Sequence, residues 1–141
     1  LEEKSLGCIT KGGLSPVTDV LGLYEPCKSN GLSLLWGPGN DIVSVTNLAC
    51  SGANIILFTT GRGTPLGAPV PTMKISTNTE LATKKSKWID FDAGFLLDTG
   101  DFITATDKLL SKVIAIANGE KTLNETNGYE EISIFKDGII L

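Results

Sequence analysis

The sequence predicts an α/β fold of three layers, in which a mostly parallel sheet carries helices on both faces. Three observations lead to this prediction. Short apolar runs end at glycine-rich turns, apolar residues recur at helical spacing directly after a turn, and further apolar runs follow. Runs that are apolar throughout are typical of strands covered on both faces, and strands joined by helices are typical of parallel sheets.

The first part of the chain predicts one helix, a connection and one strand. Residues 2–10 predict a short helix that stops at a pair of glycines. The segment Leu14–Asn30 contains prolines and other turn formers, so it is interpreted mostly as a connection, with a short apolar stretch near Val20–Leu23. Leu32–Trp36 is apolar and lies between glycines, which indicates a buried strand.

The pattern changes to helical spacing after this strand. Asn40 or Gly39 can cap the new helix, Asp41 lies in its first turn, and Gly52 is placed to end it. The apolar residues that recur at helical spacing are Ile42, Val45, Leu48 and Ala49. The order of strand, glycine turn, helix and strand makes the predicted fold Rossmann-like, although neither the dinucleotide fingerprint nor a Walker loop is present.

The second half of the chain predicts the remaining elements. They are strands over Ile55–Phe58 and Thr72–Ser76, a short lysine-rich surface helix over Glu80–Lys87, a short strand over Trp88–Phe91, a long helix over Asp101–Asn118 and an edge strand over Glu131–Phe135. The long helix has one apolar face, which a second group of residues widens. The face consists of Ala105, Leu109, Val113 and Ile116, and the widening residues are Leu110, Ile114 and Ala117.

Composition excludes several functions. The 141 residues suit one domain, and a net charge of −4 without a basic tract argues against nucleic-acid binding. No apolar run is long enough to span a bilayer. The chain has no histidine, which excludes a Ser-His-Asp triad, a Cys-His pair and a histidine-based metal site within it. Three widely spaced cysteines argue for reduced thiols and a cytoplasmic setting.

Arg62 is the only arginine, and the loop around it is the strongest candidate site. The loop Thr59–Gly67 follows a predicted buried strand and combines three threonine hydroxyls with one guanidinium on a glycine-rich frame. A guanidinium offers paired donors that match a carboxylate or phosphate, which an ammonium does not. The loop therefore indicates a site for a small anion that carries hydroxyl groups. A solvated loop rich in turn formers is the alternative.

A second glycine-rich turn, Gly37–Asp41, lies between a strand and a helix start. Free backbone N–H groups at a helix N-terminus favour anions, and glycine lets a ligand approach the backbone. A tight turn capped by Asn40 is the alternative. Ligands of open α/β sheets bind beyond the carboxyl ends of the strands, so we expect this turn and the Arg62 loop at the same end of the sheet.

Three charged residues each have functional interpretations and a structural alternative. Lys74 lies inside a predicted strand, where it could be a second anion contact or a base with a lowered pKa, or could face solvent from an edge strand. Asp90 and Asp92 are two residues apart and would share one face of a strand. They could serve a metal or a lysine, or simply form the polar face of an exposed strand.

Motifs along nearly the whole chain resemble the C-terminal domain of the galactarate dehydratase and altronate dehydratase family. Two of them, Gly37–Asp41 and Trp88–Phe91, look closer to the galactarate branch. The matching segments are Glu2-Glu3-Lys4-Ser5-Leu6-Gly7, Lys11-Gly12-Gly13, Gly37-Pro38-Gly39-Asn40-Asp41 with Ser44 and Thr46, Leu57-Phe58-Thr59-Thr60-Gly61-Arg62-Gly63-Thr64-Pro65, Pro71-Thr72-Met73-Lys74 with Thr77-Asn78, Trp88-Ile89-Asp90-Phe91 with Ala93-Gly94, and Tyr129-Glu130-Glu131-Ile132 to Gly138.

The resemblance implies a hydro-lyase that removes water from a sugar acid, galactarate rather than altronate, to give a keto-deoxy acid. It implies a divalent metal, commonly Fe(II), whose ligands are not assigned. Arg62 would clamp a carboxylate and Lys74 would be a second cation, and both are the expected catalytic residues. The expected substrate contacts are Gly39, Asn40, Asp41, Thr59, Thr60, Arg62, Thr64 and Asn78.

The resemblance also implies that the chain is one domain of a longer protein. The family's enzymes have a small N-terminal domain and a central domain, and this chain begins at Leu1 with its only methionine at Met73. The expected partners are therefore the sugar acid and those other domains, and a homo-oligomer stays open. The alternatives are an anion-binding module without catalysis, a structural domain that packs against the missing segments, and an enzyme similar to sulfolactate sulfo-lyase.

Overall fold

The computed structural model describes residues 3, 6, 7 and 10–134. It confirms an α/β fold in which every strand pair is parallel. The described residues of the predicted 2–10 helix are helical. The elements that follow are β1 (Val17–Leu21), β2 (Leu32–Leu35), α1 (Asp41–Cys50), β3 (Ile56–Thr60), β4 (Thr72–Ser76), α2 (Thr79–Lys84), β5 (Phe91–Asp92), α3 (Leu96–Thr99), α4 (Phe102–Ala117) and α5 (Leu123–Asn127).

The strands form two sheets, where the sequence predicts one. β1 pairs with β2, and β3, β4 and β5 form a separate sheet in that order. β1 lies in the segment that the sequence predicts to be mostly a connection. The pattern does not predict this strand, because Thr18 and Asp19 interrupt its apolar residues. β2 thus pairs with β1 and not with β3. The two glycine-rich turns therefore follow strands of different sheets, and the expectation of a shared sheet edge is wrong.

The long helix α4 packs against β4 with the predicted face. Met73, Ile75 and Ile116 are buried together, and Leu109 and Val113 pack against them. The predicted widening of this face is wrong, because the side chains of Leu110 and Ile114 are exposed. Helix α4 begins after Asp101, whose carboxylate accepts the N–H of Thr104 at 3.0 Å.

A second core lies between α1, β3 and the last part of the Arg62 loop with the residues that follow it. Val45 and Ile56 are buried there with Leu66 and Ala68. Leu66 thus anchors the far end of the loop in the core, and Ala68 continues this packing after the loop.

Two predicted strands, Trp88–Phe91 and Glu131–Phe135, differ from the structure. β5 is only two residues long, so most of the predicted strand Trp88–Phe91 is not a strand. Residues 131–134 of the predicted edge strand are not a strand either, and Phe135 lies outside the described residues. Ser133 instead donates its N–H to the hydroxyl of Thr46 at 3.0 Å.

Within the described part of the chain, no helix is long and apolar enough to cross a membrane.

Candidate functional site

A cleft of about 470 Å³ lies at the carboxyl ends of β3 and β4, beside α2. Ligands of α/β proteins bind at this edge of a parallel sheet. Three cations and one carboxylate line the cleft, which gives it a net positive charge. The lining residues are Gly61, Arg62, Asn78, Glu80, Leu81, Lys84 and Lys85.

The Arg62 loop turns back directly at the end of β3. The buried hydroxyl of Thr60 accepts the N–H of Gly63 at 2.9 Å and that of Arg62 at 3.4 Å. Gly63 has φ = +76°, a conformation that favours glycine. A Cβ atom at this position would lie 2.9 Å from Cδ of Lys85. Thr60 and Gly63 therefore fix a tight turn whose backbone packs on a lysine side chain.

Two lysines hold the carbonyl groups of the same loop. Nζ of Lys85 donates to the carbonyl oxygens of Arg62 at 3.1 Å and of Gly63 at 3.2 Å. Nζ of Lys74 donates to the carbonyl oxygen of Thr64. The backbone of the loop is thus bound from both sides, with its N–H groups on a threonine and its carbonyl groups on lysines.

Lys74 is fully buried in the middle of β4. Burial lowers the pKa of its amine to about 8, because the charged form loses its hydration. The carboxylates of Asp90 and Glu131 oppose this decrease in pKa, and the positive charge of Lys85 adds to it. The amine also lies 5.9 Å from the ring centroid of Tyr129. These contacts exclude the solvent-facing alternative for Lys74.

Asp90 and Asp92 bind backbone N–H groups, in place of the exposed polar face that was one alternative. The carboxylate of Asp90 accepts the N–H of Lys74 and the N–H of Leu123, each at 2.8 Å. Asp92 accepts the N–H of Gly94 at 2.8 Å. Asp90 thus joins β4 to the start of α5, and its negative charge favours the protonated amine of Lys74.

Asn78 connects the loop to α2. Its side-chain carbonyl accepts the N–H of Leu81 at 2.8 Å and caps the helix, while its amide donates to the carbonyl oxygen of Gly61 at 3.2 Å. This residue was predicted as a substrate contact, and it does line the cleft. Its polar atoms already have protein partners there.

The side chain of Arg62 differs from the backbone of its loop in its hydrogen bonding. Its residue is exposed in the cleft, and among residues 10–134 the guanidinium has neither a hydrogen bond nor an ion pair. The backbone of Arg62 is held by Thr60 and Lys85, whereas none of its five side-chain donors has a partner among the described residues. A fixed backbone together with unpaired side-chain donors is the arrangement expected of a residue that binds a ligand.

The other predicted site residues are spread over two places. Thr59 is exposed near the end of β3, and Thr64 is half-buried and contributes its carbonyl to Lys74. Gly39, Asn40 and Asp41 are exposed at the start of α1 and do not line the cleft at Arg62. Asn40 accepts the N–H of Ile42 at 3.2 Å and is the N-cap of α1. The turn at Gly37–Asp41 thus has the capped geometry that was its alternative interpretation.

Sequence reasoning missed the residues that α2 contributes to the site. The sequence predicts only a lysine-rich surface helix over Glu80–Lys87, whereas the structure places Lys84 and Lys85 in the lining of the cleft. Lys85 also lies 4.8 Å from the ring centroid of Trp88. A tryptophan three residues after a lysine pair was the available signal, because an aromatic ring beside a cation indicates a packed surface.

The described residues do not form a metal centre. Within residues 3, 6, 7 and 10–134, no three histidine, cysteine, aspartate or glutamate residues come together to hold an ion. The donor set that a divalent metal requires is thus not met by this part of the chain.

The fold and the cleft define an α/β domain with a cationic site at the carboxyl edge of a parallel sheet. The chain belongs to the family described as D-galactarate/Altronate dehydratase, C-terminal, whose sequence profile matches residues 1–140.

Three curated relatives illustrate the relationship. Altronate dehydratase of Escherichia coli (strain K12) is 50 % identical over 141 residues, and that of Bacillus subtilis (strain 168) is 47 % identical over 144; both alignments cover 100 % of this chain. Galactarate dehydratase (L-threo-forming) of Escherichia coli (strain K12) is 34 % identical over 137 residues, which is 94 % of this chain. The chain spans only 28 %, 29 % and 26 % of these relatives, respectively.

Proposed function

We propose that this chain is the C-terminal domain of a sugar-acid hydro-lyase and that Arg62 binds a carboxylate of the substrate. The observation that carries the proposal is the available guanidinium on a fixed backbone in a cationic cleft. Because a guanidinium fork matches both oxygens of a carboxylate, it can orient the acid as well as attract it.

The fork suits the chemistry of dehydration. The reaction removes a proton from the carbon beside the carboxylate and a hydroxide from the next carbon, and the resulting enol becomes a keto-deoxy acid. As the proton leaves, negative charge grows on the carboxylate oxygens. A positive group that is already in place at these oxygens stabilises this charge without reorganisation.

The substrate that the comparisons favour is altronate. The identity to altronate dehydratases exceeds the identity to galactarate dehydratase, although two motifs had favoured galactarate. Altronate carries one carboxylate and galactarate carries two. In this proposal Arg62 binds the single carboxylate of altronate, and groups such as Thr59 contribute hydroxyl contacts.

The divalent metal, Fe(II) by the family resemblance, belongs to the rest of the protein in this proposal. To this domain we assign the binding and orientation of the acid by Arg62, and no three potential ligands come together for the metal among residues 3, 6, 7 and 10–134.

Turnover by the full-length protein tests the substrate. We expect altronate to be dehydrated with a kcat/KM at least tenfold above that for galactarate. Formation of the keto-deoxy acid can be followed by its reaction with a carbonyl reagent. Turnover of galactarate in preference to altronate would reverse the assignment, and turnover of neither acid would contradict the proposed function.

Packing against the rest of the polypeptide is a second proposed role. Helix α4 carries a stripe of apolar side chains on its outer face, formed by Ile103, Leu110 and Ile114, which are 79 %, 55 % and 51 % exposed. The relatives are more than three times as long as this chain, so they contain polypeptide that could cover such a surface.

A further inference from the structure

We propose that Lys85 and Lys74 are positioning residues, which hold three consecutive carbonyl groups, those of residues 62–64, and so present the guanidinium of Arg62 to its ligand. What Arg62 binds rests on the proposed function. The positioning itself rests on the hydrogen bonds of the loop.

The contacts divide the two faces of the loop between different partners. Thr60 accepts the N–H groups of Arg62 and Gly63, while Lys85 donates to the carbonyl groups of the same two residues. Each peptide beside Arg62 therefore has little freedom to rotate. A loop with Gly61 and Gly63 on either side of the arginine would otherwise sample many conformations, because glycine has few steric limits.

Lysine is suited to this task because its ammonium has three donors and no acceptor. One Lys85 can therefore satisfy two neighbouring carbonyl groups at once. Hydrogen bonds from a charged donor stabilise more than neutral ones do. The stem of Lys85 also packs against the position of Gly63, where a Cβ would collide with it.

Lys74 fits a positioning role better than direct contact with the substrate. Its side chain is fully buried, and its amine is directed to the carbonyl of Thr64. The charged groups around it are Asp90, Glu131 and Lys85. Burial of a lysine is unfavourable without a specific partner, and the loop carbonyl is the partner here.

Hydrogen exchange of the full-length enzyme tests the positioning without reference to activity. In Lys85→Met, we expect peptides that cover residues 61–66 to exchange roughly tenfold faster or more, since the carbonyl contacts are lost. Lys84→Met is the matched control, because Lys84 lines the same cleft but makes no hydrogen bond to the loop carbonyls. It removes the same charge and should leave loop exchange unchanged. Equal exchange of Lys85→Met and wild type would overturn the proposal.

A double-mutant cycle separates positioning from a general effect of charge or folding. If Lys85 acts through Arg62, Lys85→Met lowers kcat/KM about tenfold in the wild type and has little further effect in Arg62→Lys. Additive losses would contradict the positioning role. Wild-type activity of Arg62→Lys would instead overturn the proposed function, while the exchange rates of the loop would still decide the positioning. Lys74→Met should likewise speed exchange of residues 61–66 more than exchange of α4, because the Thr64 carbonyl loses its partner, and unchanged loop exchange would overturn the positioning role of Lys74.

Discussion

Lys74 shows how one buried charge connects strand and loop. Its backbone N–H and its carbonyl both bond to Asp90, and its amine reaches the loop carbonyl of Thr64. The sequence allowed an anion contact, a base or a solvent-facing residue. It did not reveal the carbonyl partner, because that partner is defined by folding and not by a residue type. The same holds for Lys85, whose contacts are also to backbone oxygens.

The lowered pKa of Lys74 predicts a pH dependence of stability. Below pH 8 the amine is protonated in both states, and the folded state bears the cost of burying the charge. Between pH 8 and its ordinary pKa of 10.5, only the unfolded chain keeps the proton, so the free energy of unfolding rises with pH. The full rise attributable to Lys74 is on the order of 3 kcal/mol.

Urea unfolding of the 141-residue chain at pH 7.5 and at pH 10 measures this rise. Groups other than Lys74 titrate in all variants, so the quantity of interest is the difference from Lys74→Met, which should lack the rise. The exposed Lys84 provides the control, and Lys84→Met should follow the wild type. A pH dependence shared by wild type and Lys74→Met would show that Lys74 keeps its ordinary pKa.

At the scale of elements, β4 and the long helix α4 were more predictable than the pairing of the strands. The bounds of β4 agree with the prediction, and those of α4 agree to within one residue at each end. Both have patterns that local sequence contains: an apolar run, or apolar spacing closed by a cap. Sheet partners depend on distant residues, so β1 and the division into two sheets were missed. Helix α5 was missed because its capping box, Thr122 with Glu125, has no apolar periodicity behind it.

The two asparagine caps give a prediction at this scale. Within the described part of the chain, the side chain of Asn40 bonds only to α1, whereas Asn78 caps α2 and also binds the carbonyl of Gly61. Each alanine variant should lose about 1 kcal/mol of the free energy of unfolding through the cap. Asn78→Ala should lose roughly another 1 kcal/mol, because the loop carbonyl loses its partner.

Hydrogen exchange distinguishes the two caps further. Only Asn78→Ala should speed exchange in residues 61–66, while Asn40→Ala should speed exchange only near the start of α1. Faster loop exchange in Asn40→Ala would mean that the two turns are coupled, contrary to their placement after strands of separate sheets.

At the scale of the whole molecule, the outer face of α4 carries exposed apolar side chains. Its inner face packs on β4 as predicted, but Leu110 and Ile114 lie outside that core. In the sequence pattern, Leu110 and Ile114 belong to one wide apolar face. The pattern alone does not show whether one neighbouring element covers the whole face or a second surface covers part of it. We expect the rest of the full-length polypeptide to cover the stripe at Ile103, Leu110 and Ile114.

Leu110→Glu tests this expectation. In the 141-residue chain the variant should change the free energy of unfolding by less than about 0.5 kcal/mol, because the side chain is half-exposed. In the full-length protein it should cost roughly 2 kcal/mol or more, since a charge would enter an apolar interface. Ser111→Glu is the control, because Ser111 is exposed beside the stripe. Equal effects of Leu110→Glu in the two proteins would argue that this face stays in solvent.

The central claim concerns Arg62, the only arginine of the chain, whose guanidinium is available in the cleft while its backbone is fixed. The most direct test is kcat/KM of Arg62→Lys in the full-length enzyme with altronate as substrate. The variant keeps the charge and loses the fork, so we expect kcat/KM to fall roughly 10²-fold, with loop exchange unchanged. A kcat/KM within twofold of the wild type would contradict the role of Arg62 as the carboxylate-binding residue.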